Sequence, residues 1–429
     1  MDADNRREHS LSVKSILVHL PAYREPELVP TIQSALENAK HPSRINFGIC
    51  RQFKEEDKFD NVDDFRSDKR FKIFDMPYSE AKGLPYARAI INDELLTDED
   101  YILQLDSHHR FDKDWDVYLI KLHNKLLKKS KKVIIGGYLP YYDPFNDPAS
   151  RVRESWQTHV VCFYPHGTCF VRPGAYPDTN EPIAGRYVSG HFAFSTNDWA
   201  KVVRHDSDII FSGEELHMTI RSYTHGYDIY HLPKPVIWHA TMRTERDGIL
   251  VWDDFHKAGK DFNKYQEKSR SKIRQLLGAE DNGFDLSGYD LGKDRSVSDY
   301  EKFAGLDFKS HRIQQYTLDN KIPHNPPASP DNPWVRSFYH CINFDKKEFK
   351  LKDYDSIIIA FDDEDGRSVF RNDWGDHEIK NCFSTPGDWF SFENIFNKHY
   401  NREPVKWVMW AHSKSKGWAE RIEGNINDT

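Results

Sequence analysis

The sequence predicts an α/β layered fold with a parallel-rich sheet, followed by a smaller β-rich module. Three observations carry that expectation. The first third alternates short apolar runs with amphipathic stretches, the pattern of strands joined by crossover helices. The run Tyr101 to Leu105 ends abruptly in Asp106-Ser107-His108-His109-Arg110, as a buried strand does when it delivers polar side chains to a sheet edge. Beyond a proline-rich stretch the composition turns to β-branched and aromatic residues, which suit short paired strands.

Taken in order, Ser15 to Leu20 is the first expected strand, and Pro26 opens a helix with Leu28, Ile32, Ala35, Leu36 and Ala39 on one stripe. Ile45 to Ile49 and Phe71 to Phe74 follow as strands. Ala87, Ile90, Ile91 and Leu95 stripe the next helix, after which Tyr101 to Leu105 supplies the strand carrying the acid-imidazole edge. Trp115, Leu119, Leu122 and Leu126 mark another helix, and Val133 to Ile135 another strand. Arg151 to Pro182, rich in Pro, Gly, Tyr and His, reads as a long irregular section. Tyr187 to Ser195 alternates like a strand, with a short helix from Asn197. A helix begins at Ser212 to Glu215. Tyr227 to His231 and Val236 to His239 read as strands, and Asp253 to Leu277 as a charged helical stretch. The prolines from Asn320 to Pro333 suggest a stiff linker. Phe338 to Asn343, Ser356 to Phe361 and Val405 to Trp410 would then pair in the terminal module.

Composition excludes several functions. A chain of 429 residues with 14% aromatics can bury a sizeable core, whereas a net charge of −8 argues against a general nucleic-acid binder. No run of about eighteen apolar residues suggests a membrane span, and the polar start lacks the apolar segment of a signal peptide. Five scattered cysteines without a C-x-x-C point to reduced thiols and a cytoplasmic protein.

Four segments would gather at the carboxyl ends of a parallel sheet. In Leu20-Pro21-Ala22-Tyr23-Arg24, read as the loop after the first strand, an aromatic, an Arg and exposed backbone could hold a nucleobase; an ordinary strand-to-helix connection explains it equally. Ala81-Lys82-Gly83 feeds a helix that carries Arg88, so a phosphate could meet the helix N-terminus and two cations. Arg88 could instead make a structural salt bridge to an acid such as Asp106. In a continuous strand Asp106 and His108 would share a face with Ser107 opposite, and one divalent ion could touch both. A carboxylate oxygen with an imidazole nitrogen suits manganese better than calcium; a polar turn is the plain alternative, and His109 would face away. The fourth segment pairs Gly213-Glu214-Glu215 with Trp238-His239. His239 could close the metal site or be a surface histidine. Ser212-x-x-Glu215 has capping-box spacing, which leaves Glu214 the freer acid to hold a sugar or acceptor hydroxyl. Asp362 to Gly366 reads as an acidic turn rather than a calcium loop, since Phe361 stands where the first ligand is needed. Arg151, Arg153, Tyr141 and Tyr142 could line an acceptor groove or simply pack a loop.

Together, Leu20 to Leu28, Gly83 to Arg88, Leu103 to Phe111, Ser189 to Ser195, Phe211 to Glu215 and Leu286 to Gly292 resemble the motifs of family-sixty glycosyltransferases, polypeptide N-acetylglucosaminyltransferases acting on hydroxyproline or threonine. Asp106-Ser-His108 is also similar to the metal motif of the mucin-type polypeptide N-acetylgalactosaminyltransferases. The resemblance spans Ser15 to Lys309 and implies a GT-A fold, a Rossmann-like nucleotide-sugar half followed by an acceptor half. With the proline-rich linker and the β-like composition beyond it, which lie outside the match, the chain divides into a polar extension (1–14), a GT-A catalytic domain (15–318), a linker (319–333) and an accessory domain (334–429).

The implied activity is metal-dependent, retaining transfer of N-acetylglucosamine from UDP-GlcNAc to a protein or glycan hydroxyl. Asp106, His108 and His239 would hold Mn2+ or Mg2+. Pro21, Ala22, Tyr23, Arg24, Lys82, Gly83, Arg88, Gln104, Asp106 and Ser107 would hold the donor, and Glu214, Glu215 and Asp106 would serve catalysis. Retention would proceed by front-face attack, with double displacement through Glu214 as the fallback. Three other readings stay open: a bacterial capsule or lipopolysaccharide transferase using another UDP-sugar, a non-catalytic nucleotide-sugar binder, and a metal-dependent hydrolase, for which no two-metal carboxylate cluster is evident.

Overall fold

The computed structural model describes residues 14–241, 249–349, 353–384, 389–398 and 404–426. Residues 1–13 of the expected polar extension lie outside the described residues. In the first part of the chain the elements run β1 (Ile16–Tyr23), α1 (Leu28–Asn38), β2 (Ile45–Phe53), β3 (Phe71–Pro77), α2 (Leu84–Ile90), β4 (Tyr101–Leu105), β5 (His109–Phe111), α3 (Trp115–Leu126) and β6 (Val133–Gly136). Then come β7 (Trp156–Phe163), β8 (Cys169–Ala175), β9 (Ile183–Ala184), β10 (Phe192–Thr196), α4 (Asn197–Val202), α5 (Glu214–Thr224), β11 (Asp228–His231), β12 (Ile237–His239), α6 (Val251–Lys257), α7 (Phe262–Leu276) and α8 (Val297–Ala304). The chain continues through β13 (Leu306–Asp307), β14 (Arg312–Gln314), α9 (Gln315–Leu318), β15 (Trp334–Asp345), β16 (Tyr354–Asp362), β17 (Ser368–Trp374), α10 (Asp376–Ser384), β18 (Trp389–Lys398), β19 (Lys406–Ser413), β20 (Gly417–Trp418) and β21 (Ile422–Asn425).

The central sheet has the order β3-β2-β1-β4-β10-β6-β11-β9. Strands β3, β2, β1 and β4 are mutually parallel, while β10 runs antiparallel between β4 and β6. Strands covered on both faces must be apolar nearly throughout, which explains why β1 is buried from Ile16 to Ala22 and every residue of β4 is buried. Val18, Leu20, Phe47, Leu103 and Phe194 pack with Ile32, Trp115 and Leu119 on one side of the sheet.

Register decides which side chains meet. His19 pairs with Gln104, so β1 and β4 end at the same edge. Phe192 pairs with Leu105, so the loop entering β10 meets the end of β4. β12 pairs with β5, opposing His239 to His109.

Residue contacts divide the chain into two units, residues 1–161, 167–309 and 314–332 in the first, and 162–166, 310–313 and 333–429 in the second. Within the second, β16 lies between β17 and β19 in a five-stranded antiparallel sheet. Its core is Ile357, Ile359, Phe361, Trp374, Cys382 and Met409. Asp363 to Gly366 forms the expected acidic turn, closed by the Gly366 amide on the Asp363 carbonyl.

Several expectations are corrected. β1 continues to Tyr23, so Pro21 to Tyr23 are strand residues rather than a loop. The section 151–182 contains β7 and β8, whose inward face was masked by the Pro and Gly around them. β10 begins only at Phe192; Tyr187 to His191 is a buried loop whose alternation mimics a strand. The charged stretch from Asp253 splits into α6 and α7 at Gly259. The proline-rich stretch is tied down rather than free: Arg186 donates to the Lys321 carbonyl and Asn325, and Asn325 donates to Gln314 and Thr317. Tyr142 is fully buried and Arg151 pairs with Asp147 over the Trp238 ring, so both pack their loop. Among the described residues the cysteines form no disulfide, and no helix is long and apolar enough to cross a membrane.

Candidate functional site

β4 stops at Leu105, and Asp106, Ser107 and His108 form a short turn before β5. Asp106 and His108 come together through that turn and not through the continuous strand expected. Thr31 of α1 clamps it: its hydroxyl accepts from the His109 amide at 2.8 Å and donates to the Ser107 carbonyl at 3.1 Å. Because β12 runs beside β5, His239 reaches the same point. Ligand atoms of Asp106, His108 and His239 all lie within 4.8 Å of one another. The two Nε2 atoms are 3.0 Å apart, and Asp106 Oδ2 stands 3.5 Å from His239 and 3.7 Å from His108.

These separations suit one cation, since adjacent ligands at bond lengths of about 2.1 Å are themselves about 3 Å apart at right angles. Two imidazole nitrogens and a carboxylate oxygen suit a borderline transition ion rather than calcium. The donor set therefore fits Mn2+.

Around the trio lies a layer of imidazoles. The His191 ring stacks on His239 with centroids 4.2 Å apart, and His109 packs 4.9 Å from His239. His109 thus lines the back of the site and does not face away. His191 turns its Nε2 inward to accept the Leu139 amide, which excludes that nitrogen from ligation in this arrangement. Burial, with the neighbouring His239, holds both His109 and His191 well below the ordinary imidazole value, so both are neutral.

Arg88 sits behind Asp106. Fully buried, it donates to Asp106 Oδ1 at 2.7 Å and pairs with Glu214, realising the salt bridge open from the sequence. Burial raises the Asp106 carboxyl, but the His239 hydrogen bond and the Arg88 charge outweigh it and hold Asp106 well below the carboxylate range. Glu214 is likewise held down against burial by Arg88 and His205. Gln104 donates to the Gly190 carbonyl and accepts from His205 Nε2 at 2.7 Å, so its amide is engaged inside the protein.

Glu215 does not cap its helix. The N-cap is Gly213, without a side-chain cap, and Glu215 Oε1 instead accepts the Gly190 amide at 2.8 Å. The box fails because Glu215 is drawn to a loop that local spacing cannot see. Burial, reinforced by the Glu214 charge, pushes the Glu215 carboxyl up to about 7.

Of the other sequence candidates, Tyr23 donates to Asp254 of α6 at 2.7 Å, and Arg24 bridges Asp57 and Asp254 at 2.6 and 2.9 Å. Pro21, Ala22 and Ser107 are buried. Gly83 has φ 107° and lies so close to the Ile210 carbonyl that a Cβ would stand 2.2 Å from it, hence the glycine. Lys82 is exposed, its Nζ over the Tyr86 ring, at a cleft of about 530 Å³ that Lys260 and Lys268 also line.

The sequence model of the glycosyltransferase (GlcNAc) family matches residues 15–70 and 58–310, which includes every element of this edge. The chain belongs to that family. Among solved structures, GalNAc-T7 with UDP, GalNAc and Mn2+ is similar at 12% identity, covering 97% of this chain and 72% of that one with a TM-score of 0.50. S. aureus TarS is matched over 96% of this chain and 77% of its own at 10% identity and a TM-score of 0.37. A TarS fragment in complex with UDP-GlcNAc is matched over 61% and 73% at 12% identity and a TM-score of 0.35. No curated protein sequence matches. The fold is GT-A, and the protein is a glycosyltransferase.

Sequence reasoning missed Glu25, Thr31, His191 and His205. Glu25 and His191 stood inside quoted motifs, two residues past a strand end and beside a glycine, where polar residues merit a role. Thr31 and His205 carried no such signal.

Proposed function

We propose that this glycosyltransferase is metal-dependent and retaining, moving α-linked N-acetylglucosamine from UDP-GlcNAc to a hydroxyl on a protein (hydroxyproline, Thr or Ser) or a glycan. The observation that carries the reading is the Asp106, His108 and His239 cluster at the carboxyl edge of β4. Bound there, Mn2+ would neutralise the charge that grows on the departing diphosphate.

The chain's own residues do the rest. Arg88 fixes the Asp106 carboxylate from behind, so the ligand does not have to be reorganised when the donor arrives. Lys82, exposed with its Nζ over the Tyr86 ring, is left to meet the diphosphate, while Tyr23 and Arg24, held by Asp254, would line the nucleobase site. Glu214 is committed to Arg88 and buried, which favours front-face attack over double displacement through it. Glu215, ionising near neutrality, is the acid we assign to hold the acceptor hydroxyl. In front-face attack the departing phosphate takes the acceptor's proton.

The test is to incubate the protein with a panel of UDP-sugars, with Mn2+ or with chelator, and follow UDP release. Slow hydrolysis of UDP-GlcNAc that stops on chelation is expected. Turnover unaffected by chelator, or another preferred donor, would refute the metal or the donor assignment respectively.

A further inference from the structure

We propose that Glu25 is a positioning residue of the metal site, holding His108 in the tautomer and orientation that ligation requires. The inference rests on the metal reading above and deepens it. Glu25 Oε2 lies 3.0 Å from His108 Nδ1, and both residues are buried. An ionised carboxylate can only accept, so the imidazole proton sits on Nδ1. The lone pair is then on Nε2, the atom that faces His239 Nε2 and Asp106. A carboxylate behind a ligating imidazole also raises its basicity.

The carboxylate is itself held in place. Its other oxygen, Oε1, accepts the Glu27 amide at 3.1 Å. The preceding residue, Arg24, takes a left-handed φ of 46° and donates its amide to Gln52, and Pro26 follows. This bend turns Glu25 back toward the β4 edge instead of along α1. His239 Nδ1 lies 3.2 Å from the Thr241 hydroxyl.

The experiment titrates the full chain with Mn2+ alone, by calorimetry, and records pulsed EPR of the complex. Glu25→Ala is expected to bind Mn2+ about 10- to 100-fold more weakly and to lose one strongly coupled imidazole nitrogen. Glu25→Gln, which keeps an acceptor for Nδ1–H, should recover much of the affinity. Melting without metal serves as the control, because a merely structural Glu25 would lower the melting temperature without changing the nitrogen couplings. If Glu25→Ala binds like wild type while His108→Ala does not, the positioning role is overturned and the metal site survives. If His108→Ala and Asp106→Ala both bind like wild type, the metal reading falls and this inference falls with it. Should Glu25→Ala fail to fold, wild-type affinity and couplings in both Glu25→Gln and Glu25→Leu overturn the proposal.

Discussion

The edges of β1 and β4 are neighbours in register, carry similar residue types, and differ in how their polar groups are arranged. At the end of β1, Arg24 meets Asp57 and Asp254, Tyr23 adds its hydroxyl, and Lys257 lies 3.7 Å from Asp254, so cations and carboxylates face each other. At the end of β4, Asp106 and Glu214 share Arg88, and two imidazole nitrogens face each other at 3.0 Å. The first is a strut closed by the chain's own acids. The second turns ligand atoms of Asp106, His108 and His239 toward one point. Residue type does not separate them; the direction in which the groups face does.

The largest effect expected from breaking this contrast is on Arg88. Arg88→Met leaves Asp106 and Glu214 without their buried partner and should cost about 3–5 kcal/mol of stability in urea unfolding. A loss under about 1 kcal/mol would show that water reaches these carboxylates and that the β4 edge is no more strained than the β1 edge.

Next comes Asp106→Ala. With the ligand removed but Arg88 still paired to Glu214, UDP release from the donor should fall about 10²- to 10³-fold while the fold persists by circular dichroism. Unchanged release would place the chemistry elsewhere.

Asp254→Ala tests the strut. Losing the Tyr23 hydrogen bond and the ion pairs to Arg24 and Lys257 should cost about 1–2 kcal/mol and leave Mn2+ affinity untouched. A change in Mn2+ affinity would mean the two edges are coupled through Arg24 and Glu25.

The last contrast concerns pH. Glu215 is raised from 4.5 to about 7, so between those values the folded protein keeps a proton that the unfolded chain has released. Its contribution to stability is therefore present below about 4.5 and lost as pH rises toward 7. Thermal melts of wild type and Glu215→Gln across that window should converge at low pH and diverge in favour of the variant at higher pH; parallel curves would refute the shift.

How much was legible beforehand varies with the range of the interaction. The strands β1 to β4 and helices α1 to α3 were readable because periods of two and 3.6 report burial on one face of a local element. β7 and β8 were not, since the Pro, Gly and His around them hid the period. The capping box at Ser212 failed for a related reason: spacing describes what Glu215 can reach along its helix, while the Gly190 amide comes from a loop 25 residues earlier. The direction of His109 differs from the expected one because the chain turns after Leu105, whereas facing away follows only from a strand that continues through His109.

By itself, the sequence determined that an α/β sheet forms, that β4 ends in an acid and imidazoles, and that six spaced motifs match one kind of enzyme. Only the tertiary structure decided that Arg88 stands behind Asp106, that Glu25 holds His108 from 83 residues away, and that His239 completes the trio from 131. The reason is physical. Periodicity is a property of one element, whereas these contacts depend on the order and register in which strands assemble.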